Sequence, residues 1–230
     1  PVRPRLAPEA TRRESAKVAK RTRPPDLAGV HVILDAGHGG NDPGTAHDDL
    51  WESTYVYDVA CRVRQLLKKD SEAKVSMTTR SEKYGFSVVE KNVLEPASDH
   101  SVQTTPSCLL DDAIDGVNLR WYLPNSIFRR AMKGGVPREK VVFLSIHADS
   151  LHPSLRGGMA YIPGASFVTG SYSYRKKSEI YLARAEVREQ PSVTHSREDA
   201  LRAEGLSREL AESVMDSFRG KGLAVHPFGP

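Results

Sequence analysis

The chain has 230 residues, a formal net charge of +4, a sequence pI near 9.1 and 39% hydrophobic residues. That suffices for one sizeable α/β domain and excludes an obvious pair of large ones. No run approaches the roughly 18 apolar residues of a transmembrane helix, and the amino end lacks the apolar core of a signal peptide; the basic balance favours an acidic polymer or anionic surface without identifying either.

Residues 1–27 are rich in proline and basic side chains without a sustained period, and read as a flexible approach segment. Val30, Val32, Ile33 and Leu34 then form an apolar strand that runs into the glycine-rich turn Ala36-Gly37-His38-Gly39-Gly40. From Glu52 to Lys69, Val56, Val59, Ala60, Val63, Leu66 and Leu67 recur at helical spacing, with Glu52 projecting from the helix start. Residues 75–79 suggest another strand. Residues 83–116 show no dominant period and read as an irregular insertion or lid, with a regulatory partner or a passive surface role both open.

Leu119, Leu123 and Ile127 lie at four-residue intervals in a predicted helix over 117–132, where Pro124 is expected to break or kink it. Residues 141–146 are nearly continuously apolar and predict a parallel strand buried on both faces, ending at His147-Ala148-Asp149. Residues 157–162 suggest a neighbouring strand, and 166–195 a long polar loop or substrate-facing insertion. Leu206, Leu210, Val214 and Phe218 predict a late amphipathic helix leaving at Gly220 and Gly222. Of the two cysteines, Cys61 falls on a predicted buried helix face and reads as a small core residue, while Cys108 is undecided; no zinc-knuckle spacing is present.

The chemistry gathers at element ends. Two imidazoles and a carboxylate can fill three positions around Zn2+ and leave a fourth for water, and His38, Glu52 and His147 stand on a turn, a helix start and a strand end. By spacing alone the simpler reading is a turn residue, a solvated acid and a capped strand terminus. Asp35 is a candidate for holding an imidazole and Asp42 for ordering the turn, with structural roles the simpler reading of each. A phosphate-binding loop is the competing reading of the glycines, but the lysine and hydroxyl pair of a P-loop is absent.

Residues 32–44, Val-Ile-Leu-Asp-Ala-Gly-His-Gly-Gly-Asn-Asp-Pro-Gly, resemble the first metal-binding motif of the zinc-dependent N-acetylmuramoyl-L-alanine amidases of the Amidase_3 class. Glu52 stands where that class has its second ligand, and Ser145-Ile146-His147-Ala148-Asp149 is similar to its third-ligand motif; Thr79-Arg80 and Asn118-Leu119-Arg120 fit as well. The resemblance implies a three-layer α/β/α domain over residues 28–230 with a mainly parallel, six-stranded twisted sheet. It also implies Zn2+ held by His38, Glu52 and His147, and peptidoglycan or muropeptides as substrate in the periplasm or cell envelope.

The class supplies its general acid/base from a carboxyl-terminal Val-Glu-x-Gly-Phe segment that does not occur in this sequence. The expectation is therefore a domain lacking its final strand and its catalytic glutamate, with no catalytic residue assigned and weak or no activity. Glu186, Glu189, Glu209, Glu212 and His226 are poor substitutes. Arg80, Arg156, Tyr172 and Tyr174 are open to substrate contact or to ordinary packing, and His152 and His195 read as surface groups. The alternatives are a noncatalytic peptidoglycan-binding module and a zinc carboxypeptidase. The basic amino end lacks any ordered nucleic-acid recognition motif.

Overall fold

A computed structural model describes residues 26–149, 156–173 and 179–226. The first half comprises β1 (His31–Ala36), β2 (Ala46–His47), β3 (Leu50–Trp51), α1 (Glu52–Asp70), β4 (Lys74–Met77), β5 (Thr79–Ser81), β6 (His100–Val102) and β7 (Cys108–Leu109). Then come α2 (Ala113–Lys133), a 3-10 turn (Arg138–Lys140), β8 (Val141–Ile146), α3 (Ala165–Val168), β9 (Gly170–Tyr172), α4 (Glu179–Leu182), α5 (Ala185–Glu189), β10 (Val193–His195) and α6 (Arg197–Gly220).

The central sheet is parallel, in the order β4-β1-β8. Strand alternation gives β1 two apolar faces. Val32, Leu34 and Ala36 pack with Val56, Tyr57, Ala60 and Cys61 of α1, whereas Ile33 packs with Leu119, Tyr122, Leu123 and Ile127 of α2. Helices therefore cover both faces, as the α/β/α expectation requires. Each fully buried aliphatic of β1 contributes about 1.5–3 kcal/mol, which makes this strand the anchor of the domain. Helix α2 starts one turn earlier than its periodicity suggested because Asp112 caps it, accepting a hydrogen bond from the Asp115 amide at 2.9 Å. Pro124 does not break it: the helix runs through to Lys133 with Leu119, Leu123 and Ile127 buried on one side.

Three expectations need correction. The described central sheet has three strands rather than six, because β5, β6 and β7 form a separate antiparallel sheet and residues 157–162 make only a single bridge, Gly158 to Val225. Strand β8 is not buried on both faces: Phe143 is 50% exposed and Leu144 37%, since no described strand lies beyond it. Residues 166–195 are not one loop, for their described part holds short helices and strands and buries Tyr181, Val187 and Val193. Elements of three to five residues are too short to show a period.

The part of the 83–116 insertion before β6 carries no helix or strand and is strapped to α1, whereas its later part forms β6, β7 and the first turn of α2. The amides of Val89 and Ala97 donate to Asp58 Oδ1 and Thr54 Oγ1, and Arg62 donates to the Val89 carbonyl at 3.0 Å. Both cysteines are free and buried, and burial pushes the Cys61 thiol up to about 11, consistent with a core role. On α6, Leu206 and Leu210 are exposed while Ala200 and Met215 are buried.

Two further histidines, His31 and His100, are buried. His31 is held below its ordinary pKa by burial and then by the charge of Lys74, and His100 by burial against Tyr57. The unfolded chain therefore binds protons near pH 6.5 that the folded chain refuses, so stability is full above about 6.5 and falls as pH drops toward the depressed folded values. The urea midpoint is expected to fall between about pH 7 and pH 5, and His31→Gln together with His100→Gln should flatten that slope; an unchanged slope in the double variant would refute the assignment.

Candidate metal centre

Strands β1 and β8 pair in register from His31 with Val141 to Ala36 with Ile146. The Gly37 amide extends the pairing by donating to the Ile146 carbonyl at 2.9 Å. His38 and His147 follow immediately, so the two imidazoles leave neighbouring strand ends side by side, their centroids 5.0 Å apart and their planes near perpendicular. Gly37 is small for a reason: a Cβ there would lie 2.3 Å from His147 Cε1.

His38 adopts φ +60, a left-handed conformation that costs a residue with a side chain about 1–2 kcal/mol. The turn holds it there. Gly39 and Asp42 exchange backbone hydrogen bonds, and Asp42 Oδ2 lies 2.9 Å from His38 Nδ1. Asp42 thus occupies one ring nitrogen and leaves Nε2 turned toward Glu52, 3.4 Å from Oε1. Burial raises the Asp42 pKa, but the His38 and Gly44 hydrogen bonds outweigh it and hold the carboxyl below its usual range.

Glu52 is the first residue of α1, and its side chain is 1% exposed. The helix start is tied to the turn by backbone bonds, the amides of Glu52 and Ser53 donating to the Thr45 and Pro43 carbonyls. The carboxylate answers in kind: Oε2 accepts from the Thr45 amide at 2.9 Å and Oε1 from the Ala148 amide at 2.8 Å. Burial pushes its pKa up, yet these two amides and the neighbouring imidazoles prevail and hold it below the ordinary value. His147 Nδ1 lies 3.1 Å from the same Oε1.

One donor atom from each of His38, Glu52 and His147 falls within 4.8 Å of the others. Two imidazoles and an ionised carboxylate are a donor set suited to Zn2+, and their one-sided exposure fits it: Glu52 is buried while the His38 and His147 side chains are 26% and 41% exposed.

The other expected participants separate clearly. Asp35 does not hold an imidazole; its carboxylate accepts from Thr78 Oγ1 and Ser145 Oγ. The imidazole partner is Asp42, four residues after His38, a spacing visible in the sequence. Glu186 is buried against the Thr105 amide and hydroxyl, Glu189 pairs with Arg129, and Glu209 and Glu212 are exposed on α6. Arg80 pairs with Glu82 at 3.6 Å and lies over Phe86, and Tyr172 donates to the Phe167 carbonyl. His195 lies beside the Tyr172 ring and the His226 amide donates to the Gly158 carbonyl. Arg156 is exposed beside Gly157, and His152 and Tyr174 lie outside the described residues.

Sequence reasoning missed the contribution of Leu110, at the end of the insertion. Its carbonyl accepts from the Asn41 amide at 2.9 Å and would lie 1.9 Å from a Cβ at Gly40, so the insertion buttresses the His38 turn. No local sequence signal marks a contact across some seventy residues.

Gly37→Ala is expected to leave the fold intact and to weaken Zn2+ binding at least about tenfold by displacing the His147 ring. Calorimetric titration with Zn2+ beside a thermal melt checks this; native affinity in a folded variant would contradict it.

Neither a search of curated proteins nor one of solved structures gives a match. A family model, described as N-acetylmuramoyl-L-alanine amidase, matches residues 32–222, a span that takes in all three clustered residues. With most of its length covered, this chain belongs to the Amidase_3 family of N-acetylmuramoyl-L-alanine amidases.

Proposed function

We propose that the chain is a zinc-dependent amidase that hydrolyses the bond between the lactyl group of N-acetylmuramic acid and L-alanine in peptidoglycan. The observation that carries the reading is the convergence of one donor atom each from His38, Glu52 and His147 within 4.8 Å of one another, in a chain of a peptidoglycan amidase family. Bound zinc supplies a Lewis acid that lowers the pKa of water and polarises a carbonyl.

The chain's own residues prepare that site. Asp42 fixes the His38 ring through Nδ1, the Thr45 and Ala148 amides keep Glu52 ionised, and Gly37 admits the His147 ring. Hydrolysis adds one water across the amide and yields a lactyl carboxylate and a free L-alanine amine. Proton transfer from that water to the amine calls for a carboxylate beside the site. Among the described residues, Glu52 is the one glutamate in the cluster, so we expect slow or negligible turnover by these residues alone. With peptidoglycan as the substrate, we expect the protein in the periplasm or cell envelope. No described helix is long and apolar enough to cross a membrane.

Mass spectrometry of defined muropeptides incubated with Zn2+ and either this chain or any longer form encoded by its gene tests the proposal. The expected result is intact stem peptide with a free L-alanine amino terminus, lost on chelation and in His147→Ala, and more abundant with a longer form that brings a second glutamate. Release of a terminal amino acid would indicate a carboxypeptidase, and zinc-dependent binding without cleavage by any form a noncatalytic module. Rapid release by this chain would show that the proton-transfer group lies within it.

A further inference from the structure

Asp35 is 5% exposed, and a buried carboxylate requires compensating partners. None of its hydrogen bonds goes to His38, Glu52 or His147. Thr78 Oγ1 donates to Oδ1 at 2.5 Å, and Ser145 Oγ donates to Oδ2 at 2.7 Å. Arg120 Nη1, on α2, stands 3.7 Å from Oδ2 and donates to the Ala36 carbonyl at 2.7 Å.

These partners come from both neighbouring strands of the sheet and from α2. Thr78 directly follows β4, and its amide donates to the Leu34 carbonyl. Ser145 is the residue of β8 in register with Asp35. One side chain therefore clamps β1 to both neighbouring strands and, through Arg120, to α2. The clamp lies three residues before His38 and two before His147, where the paired strands end and the ligands begin. Strand β8 has no described strand on its other side, so this bond restrains an edge that is otherwise half exposed.

We infer that Asp35 is a positioning residue for the metal centre, setting the spacing of His38 and His147 by holding the ends of β1 and β8 together through Ser145. The inference rests on the metal reading above. It differs from a purely structural role in its consequence: loss of the clamp changes metal affinity in chains that remain folded.

The test is calorimetric titration of the full chain with Zn2+ for the native protein and for Asp35→Asn, Ser145→Ala, Ser145→Thr and the Asp35→Asn/Ser145→Ala double variant, each checked by thermal melting and titrated well below its transition. Asp35→Asn and Ser145→Ala are each expected to raise the Kd for Zn2+ about tenfold. Because the two side chains share one hydrogen bond, the double variant should lose less than the product of the single losses. Ser145→Thr, which keeps the hydroxyl, should bind nearly as the native chain does. Native affinity in folded Asp35→Asn and Ser145→Ala, or losses that multiply independently, would overturn the inference. If Asp35→Asn does not fold, the contrast between Ser145→Ala and Ser145→Thr decides it alone, and equal affinities would refute it. A native chain that takes up no Zn2+ would overturn the metal reading and this inference with it, an outcome distinct from the failure of Asp35 alone.

Discussion

The arrangement depends on keeping one carboxylate ionised where water barely reaches it. Glu52 is fixed by the packing of Val56, Tyr57 and Ala60 behind it and cannot withdraw to solvent. A buried carboxylate without partners is strongly destabilising, and the partners it finds are the Thr45 and Ala148 amides and the two imidazoles. Satisfying this group therefore ties together the turn after β1, the start of α1 and the residues that follow β8. The helix start also favours a negative charge through its aligned backbone dipoles. The same requirement that stabilises the fold assembles the metal donors.

Small residues make the assembly fit. A Cβ at Gly37 would strike the His147 ring, and one at Gly44 would lie 2.6 Å from His38 Cδ2 and 2.7 Å from Glu52 Oε2. Close approach of backbone to side chain is the demand at Gly37, and Gly44 adds a left-handed φ of +68. The strained turn at His38 is in turn supported by Asp42 from within and by Leu110 from the insertion. An irregular segment that reads as an appendage is thus part of the foundation of the site.

Long elements were legible because their hydrophobic periods are long. The period from Val56 to Leu67 and the apolar run of β1 each correspond to an observed helix or strand, and the apolar stripe of α2 overcame Pro124. The short pieces between Ala165 and His195 carry too few residues to show a period, and their burial depends on partners such as Thr105, eighty-one residues from Glu186. The apolar content of β8 indicated a strand, but its exposure depends on what stands beside it, which composition does not encode. Asp35 illustrates the same limit at the site, since nothing local distinguishes an acid that touches a histidine from one that bonds to Ser145, 110 residues away.

By itself the sequence determined the α/β character of the chain, the strand and helix ends on which His38, Glu52 and His147 stand, and the order of motifs that links them to an amidase family. These follow from local periodicity and from residue types whose chemistry is intrinsic. Only the tertiary structure decided that the three donors meet, that Asp42 rather than Asp35 orients an imidazole, and that the end of the insertion braces the turn. Those outcomes rest on register and packing between segments up to about a hundred residues apart, where the burial of a charge selects its partners by geometry in space.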